Sequence, residues 1–452
     1  MSTLLFGASK VNAQGSNLPQ GPRGALWQTM RYVHNPLKFY LRCVAKYGDA
    51  FTVPTVLGPV VVISRPSHLR TLFSLPPSAF ERWSVEAVSP LLGDSSVLLT
   101  SGDQHLQQRR LMAPAFHKDC IKASAERIAT LTRAHAACWP QGRPFRLQDK
   151  LVELSIEVIL CTVLGIVDAE KVQRFRDAIL NTLAAMGPKL MLARAMHERL
   201  AVLGPYARFT RARDELDRLL FVEIDAARSS SDQADHMLNV LLGVRDESGK
   251  GFSRGELRDQ LMTLIFAGHE TSAIALTWCI YWLKRYPATL AALSTELDGA
   301  GDWDADTLAR LPYLDAVCKE TLRLYPTVAE VVRKLKAPLQ LDGMLLPTGM
   351  PVAACIVAAH HREDIYPDPG VFMPERFLQR RYAAHEYLPF GGGVHRCAGE
   401  AFAWLEMKVI LATLITRLRF SLTHRSAVTP VLRSITMAPR GGVSVMVEVK
   451  QS

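Results

Sequence analysis

Phe390-Gly391-Gly392-Gly393-Val394-His395-Arg396-Cys397-Ala398-Gly399 is the stretch of this chain with the most to say about its chemistry. Three successive glycines let the backbone enter φ > 0 and approach a bulky group closely. The pattern predicts a helix from about Ala398 to 417, which places Cys397 at a helix N-terminus. There the free N–H groups and the helix dipole stabilise a thiolate. Such a sulfur suits an axial metal ligand, and His395 and Arg396 add donors and positive charge for an anionic group beside it. A Gly-rich turn around a structural cysteine fits the same residues equally well.

Working outward, residues 253–285 read as one long helix. Ser253 and Glu256 form a capping box at its start, and Tyr286-Pro287 ends it. Its middle is apolar nearly all round, as expected of a helix inside a core. Ala267-Gly268-His269-Glu270-Thr271 interrupts that surface with a charge and a hydroxyl, which are costly to bury without a purpose. Gly268 removes a side chain there and leaves room. The Thr271 hydroxyl can bond its i−4 carbonyl and bend the helix; a kink with a satisfied threonine is the plainer alternative. Glu320 and Arg323 share a helix face at i,i+3, with Pro374-Glu375-Arg376-Phe377 downstream. His105 and Arg109 share a face at i,i+4 and can clamp carboxylates.

Together these motifs resemble the cytochrome P-450 superfamily, whose haem-ligand loop reads F-G-G-G-x-H/R-x-C-x-G. The resemblance implies the fold of that family: mainly α with a small β portion, haem lying between a long central helix and the proximal Cys loop. It implies haem b with Cys397 as axial thiolate, a ligand that favours O–O cleavage. Phe390, Gly391 and Gly399 then shape the loop. His105, Arg109, Arg333 and His395 contact the haem propionates. Glu320, Arg323 and Arg376 form a buried structural network. Ala267, Gly268, Glu270 and Thr271 match the family's [AG]-G-x-[DE]-T, where the groove takes O2 and the acid–alcohol pair relays protons. By position, Leu264, Val328, Ala329, Val332 and Met437 face the substrate, with further contacts from Arg82 to Val97, from Met186, Leu190 and Met191, and from Ile435. Most are apolar, so the substrate is expected to be lipophilic: a terpenoid, a fatty acid or a steroid-like molecule. The function implied is monooxygenation with electrons from a separate ferredoxin and ferredoxin reductase. A peroxygenase, isomerase or dehydratase on the same scaffold, or a non-catalytic haem-binding protein, are the alternatives.

The rest of the sequence narrows the setting. The chain has 452 residues, 48% hydrophobic and 21% charged, which excludes disordered and collagen-like classes. No apolar run reaches about 18 residues, and the N-terminus lacks a signal-peptide pattern. A cytoplasmic protein without integral membrane association is expected. The eight cysteines form no CxxC pair, so reduced thiols are expected. His269-Glu270 starts like HExxH, but Ala273 stands where the second zinc ligand belongs. Net charge is +10. Without a basic run or a nucleic-acid module the charge does not point to nucleic acid. Arg396, Arg380, Arg381 and Lys408 are candidates for steering an acidic ferredoxin. Residues 1–36, with Pro19, Pro22 and Pro36, read as an irregular arm. Residues 50–64 read as two strands about a Gly-Pro turn, and 66–300 as mostly helical, with a hinge between Gly187-Pro188 and Gly204-Pro205. Short strands are expected at 338–346, 351–357, 433–438 and 443–449. No linker interrupts this course, so 1–452 reads as one domain with no room for a fused reductase.

Overall fold

The computed structural model describes residues 18–55, 58–81, 88–186, 204–230 and 236–450. Helices dominate. The segment read as an irregular arm is partly helical: α1 (Ala25–His34) starts after Gly24, whose φ of 84° lets the chain turn into it, and α2 (Pro36–Tyr47) follows. Asn35 caps α2 by accepting from Lys38 N–H, and Pro36 occupies the first turn, where its missing N–H costs nothing. The prolines therefore delimit helices here rather than exclude them.

β1 (Ala50–Thr55) and β2 (Gly58–Ile63) pair antiparallel about the expected turn. With β3 (Phe80–Glu81), β5 (Glu330–Leu335) and β8 (Pro351–Cys355) they form a sheet ordered β1-β2-β8-β5-β3. A second sheet orders β4 (Phe145–Arg146), β12 (Ser444–Val449) and β9 (Leu418–Leu422). The 338–346 and 433–438 segments are hairpins rather than single strands. β6 (Leu339–Leu341) pairs with β7 (Met344–Leu346), and β10 (Pro430–Arg433) with β11 (Thr436–Pro439).

The core is helical. α3 (Gly102–Met112) carries His105 and Arg109. α4 (Leu147–Leu164) is buried over most of its length. The long helix expected over 253–285 is two: α5 (Arg254–Gly268) and α6 (Thr271–Arg285). The capping box at Ser253 and Glu256 is present. The interruption at His269-Glu270 is sustained by two side chains that bond carbonyls of the preceding turn: His269 Nδ1 lies 3.1 Å from Phe266 O, and Thr271 Oγ1 donates to Ala267 O at 2.9 Å. α7 (Pro312–Leu324) carries Glu320 and Arg323, and α8 (Glu400–Arg417) follows the Gly-rich loop. The apolar residues of α4, α6, α7 and α8 join one cluster at the centre of the molecule. The 187–203 part of the expected hinge, with Leu190 and Met191, lies outside the described residues, as do positions 82–87 of the expected lid.

Candidate functional site

The Gly-rich loop owes its shape to what it passes. A Cβ on Gly393, whose φ is 67°, would stand 2.6 Å from Phe73 O, and one on Gly392 would meet the Phe73 ring at the same distance. No other residue fits those two places. The loop closes through Cys397 N–H to Phe390 O at 3.0 Å. The Phe390 ring meets Trp404 of α8 edge-on at 5.3 Å, a support the sequence reading did not include. The helix begins at Glu400, two residues later than expected, but the Gly399 N–H still reaches the sulfur. Burial pushes the Cys397 thiol up, while the Gly399 N–H and the charges of Arg109 and Arg396 pull it down. Of the expected loop residues, Gly391 is buried and Gly399 half-buried.

Four side chains gather beside that sulfur. His105 on α3 is buried, its ring tilted against His395 with centroids 4.2 Å apart. Its nitrogens lie 3.0 Å from Val97 O and 3.2 Å from Val394 O. His395 Nδ1 is buried with no hydrogen-bond partner among the described residues, and burial together with the nearby Arg333 pulls its pKa down to about 3. Arg109 and Arg333 have no acidic partner among the described residues. Burial lowers both, Arg333 to about 10, and among the described residues Arg333 donates to Val332 O. Two desolvated guanidinium groups and an orphaned imidazole facing one another without a carboxylate would be costly alone. They call for an anion.

The interrupted helix carries the second group of expected residues. Ala267 is exposed and Leu264 half-buried within an otherwise buried run. A Cβ on Gly268 would lie 2.8 Å from Ile159 Cδ1, so the glycine lets α4 pack close at this point. Glu270 is turned toward the C-terminal hairpin. Its Oε1 accepts from Arg433 Nε at 3.0 Å, and its Oε2 from Thr436 Oγ1 at 3.4 Å. Burial raises the Glu270 carboxyl, and Arg433 and Thr436 oppose that rise. Thr436 lies within the Ile435 to Met437 segment expected to face the substrate, but neither it nor Arg433 was expected as a partner of Glu270, because nothing in the sequence marks residues 166 and 163 positions away as partners.

Glu320, Arg323 and Arg376 come together as expected. Arg323 holds both Glu320 oxygens, at 2.6 and 2.8 Å, and donates to His360 O and Pro369 O at 2.8 and 2.9 Å. Arg376 Nε reaches Glu320 Oε1 at 3.1 Å. All three are buried. Of the substrate-facing candidates, Ala329, Val332 and Met437 share one apolar cluster; Val328 beside them is half-buried, and Leu264 packs against the larger central core. Ile435 does not join them, being 51% exposed at the hairpin turn.

The cytochrome P450 family model matches residues 19–445. The chain belongs to the cytochrome P450 family. A Mycobacterium tuberculosis protein designated cytochrome P450 135B1 is 37% identical over 442 residues, covering 95% of this chain and 91% of the relative. Cytochrome P450 135A1 of the same organism is 32% identical over 434 residues, covering 94% of each. Among solved structures, the retinoic acid-bound cyanobacterial CYP120A1 superposes with a TM-score of 0.84 at 25% identity, over 96% of this chain and all of that one. The cytochrome P450DA haem domain shares the fold, with a TM-score of 0.84. As a cytochrome P450, the protein is a haem-thiolate monooxygenase with a cysteine thiolate as axial ligand and O2 as co-substrate. The residues present fit that prosthetic group: a loop drawn close at Gly392 and Gly393, a sulfur with an N–H donor, and donors without an acidic partner among the described residues, suited to two propionates.

Three of the four candidate docking cations are already paired. Arg396 forks onto Glu400, Arg380 reaches Glu386 at 2.8 Å, and Lys408, nearly buried, reaches Asp315 at 2.6 Å. Lys408 is thereby corrected from a docking residue to a structural one. Arg381 alone of the four is exposed with no acidic partner among the described residues.

Proposed function

We propose that this cytochrome P450, acting as a single domain over residues 1–452, inserts one oxygen atom of O2 into a lipophilic small molecule, with electrons from a separate ferredoxin and its reductase. When bound, haem supplies the oxygen activation and the oxidising equivalent. Cys397 would supply the thiolate that holds it, with the Gly399 N–H tuning the sulfur. Arg109, Arg333 and His395 would hold its propionates, with the His105 ring against His395. The Glu320–Arg323–Arg376 network fixes the segment that leads to the loop. Thr271 presents its hydroxyl next to Ala267, and Glu270 delivers protons toward it once released from Arg433. Leu264, Val328, Ala329, Val332 and Met437 supply apolar contacts, which favours a terpenoid, fatty acid or steroid-like substrate. The retinoic acid carried by the CYP120A1 relative is a molecule of that kind.

The observation that carries this reading is the convergence of Arg109, Arg333 and unpartnered His395 beside Cys397. The test is the reduced-CO spectrum of wild type and Cys397→Ala, followed by Soret titration of wild type with fatty acids, sesquiterpenes and a steroid. The thiolate band should be present in wild type and lost in the variant, and one lipid class should shift the Soret band to high spin. An unchanged CO spectrum in Cys397→Ala overturns the ligand assignment, and no shift with any lipid overturns the substrate class.

A further inference from the structure

The first helix of the described chain has two faces of different character. Its inner face carries Gln28 and Tyr32, both buried, and Tyr32 Oη donates to Glu330 at 2.8 Å. Arg440 Nη2 donates to His34 O at 2.9 Å and fixes the C-terminal end of the helix beside the β10–β11 hairpin. On the outer face Leu26, Trp27, Met30 and Val33 are 68%, 58%, 57% and 37% exposed. Positions i, i+1, i+4 and i+7 lie on one side of a helix. Scattered exposed apolar residues are ordinary, but four in ten residues on one face are a patch.

The charge around that face is one-sided. Residues 18–48 contain Arg23, Arg31, Lys38, Arg42 and Lys46 and no Asp or Glu. All five are exposed, and none makes an ion pair among the described residues. The Arg31 guanidinium lies 5.5 Å over the Trp27 ring, so cation and aromatic share the rim of the patch. A groove of about 430 Å³ runs alongside, lined by Leu37, Leu41, Ala45 and Val428, with Lys38 and Arg42 also on its walls. Apolar side chains edged by unmatched cations complement an interface whose outer layer is anionic and whose next layer is hydrocarbon.

We propose that α1 and the Lys38–Arg42 side of α2 form a docking surface for an anionic lipid bilayer. α1 would lie in the headgroup plane with Leu26, Trp27, Met30 and Val33 turned into the acyl boundary. A second copy of the chain is the poorer occupant. A two-fold contact would set the same five cations against themselves, whereas a bilayer supplies the opposite charge. The contact is peripheral: α1 has ten residues, and no helix among the described residues is long and apolar enough to cross a membrane. The proposal concerns attachment alone and does not depend on which substrate is oxidised.

The test is co-sedimentation of the haem-loaded protein with vesicles of mixed phosphatidylglycerol and phosphatidylcholine, beside vesicles of phosphatidylcholine alone. Wild type should partition onto the anionic vesicles and release as salt rises. The variant Trp27→Ser/Met30→Ser should partition about tenfold less, and Arg23→Glu/Arg31→Glu should lose the preference for anionic lipid. Both should keep the wild-type reduced-CO spectrum, since neither pair is near the Cys397 loop. Absence of sedimentation with either vesicle overturns the proposal. So does binding that neither variant weakens. Light scattering that shows a wild-type dimer dissociated by Trp27→Ser/Met30→Ser, with no vesicle binding, overturns it in favour of a second copy.

Discussion

At the scale of single residues, Glu270 has two neighbours with opposing demands. Thr271 is next to it in sequence, but Arg433 and Thr436 of the hairpin hold its oxygens. Burial raises its pKa, and the Arg433 charge is the largest influence pulling it back. Removing that charge leaves a carboxyl that stays protonated to higher pH, with no cation to orient it. Arg433→Ala is therefore expected to move the acidic limb of the coupled turnover profile to higher pH and to divert reducing equivalents into peroxide. The loss of product per NAD(P)H should be about tenfold near neutrality, the scale of a mis-set proton relay; Arg433→Lys should recover most of it. Product and peroxide yields measured against pH decide the matter, and an unchanged profile in Arg433→Ala would show that the ion pair is only a surface contact. Arg323 is a case of a different kind. It and Glu320 are fully buried, so Arg323→Leu leaves the carboxylate with Arg376 as its one cation among the described residues and should cost about 3–5 kcal/mol. Denaturant melts should show that loss, with Arg323→Lys falling short of rescue because one ammonium cannot fork onto both oxygens.

At the scale of elements, α4, α6 and α8 meet at one buried acid. Glu406 of α8 accepts from Ser155 of α4 at 2.9 Å and from Ser272 of α6 at 2.5 Å, with no cation at hand. Burial pushes its pKa up to about 7, and the two hydroxyls moderate the rise. The sign follows from proton counting. Between the unfolded value of about 4.3 and 7, the folded state keeps a proton that the unfolded chain has released. Stability contributed by this group is thus full at low pH and falls as pH rises, by about 3–4 kcal/mol on passing neutrality. Glu406→Gln keeps a donor and an acceptor for the two serines and cannot ionise. Its Tm should exceed that of wild type above pH 7 and converge on it near pH 5. Thermal melts across that range check this, and parallel curves would refute it. The same helices come close at Gly268, where a methyl group would require Ile159 of α4 to shift.

At the scale of the molecule, local patterns were legible and distant pairings were not. The loop from Phe390 to Gly399, the capping box at Ser253 and the Glu320–Arg323 pair depend on neighbours in sequence, and the sequence displays them. The break at His269-Glu270 was legible in part: the Thr271 hydroxyl bonds its i−4 carbonyl, as its position allows, but periodicity does not reveal the second bond, from His269 to Phe266 O. The helix at Ala25–His34 was hidden by flanking prolines that in fact frame it. Charge pairing was the least legible, because partners come from other elements. Lys408 looks like a free cation in the sequence, but Asp315 of α7 holds it.

That last difference separates two variants that composition alone would equate. Arg381 is exposed near the proximal loop without an acidic partner among the described residues, whereas Lys408 is nearly buried in an ion pair. Long-range steering of an acidic electron donor acts through exposed, unpaired charge and is screened beyond about 8 Å at physiological salt. Arg381→Glu should therefore slow reduction by ferredoxin at low ionic strength by several-fold and converge on wild type as salt rises, with its Tm unchanged. Lys408→Ala should instead lower Tm, because it leaves Asp315 with Lys319 alone, and should leave the salt dependence of reduction as it was. Stopped-flow reduction at two ionic strengths, paired with melts, tests both arms. A slow, salt-sensitive Lys408→Ala or an indifferent Arg381→Glu would move the docking face away from this side of α8.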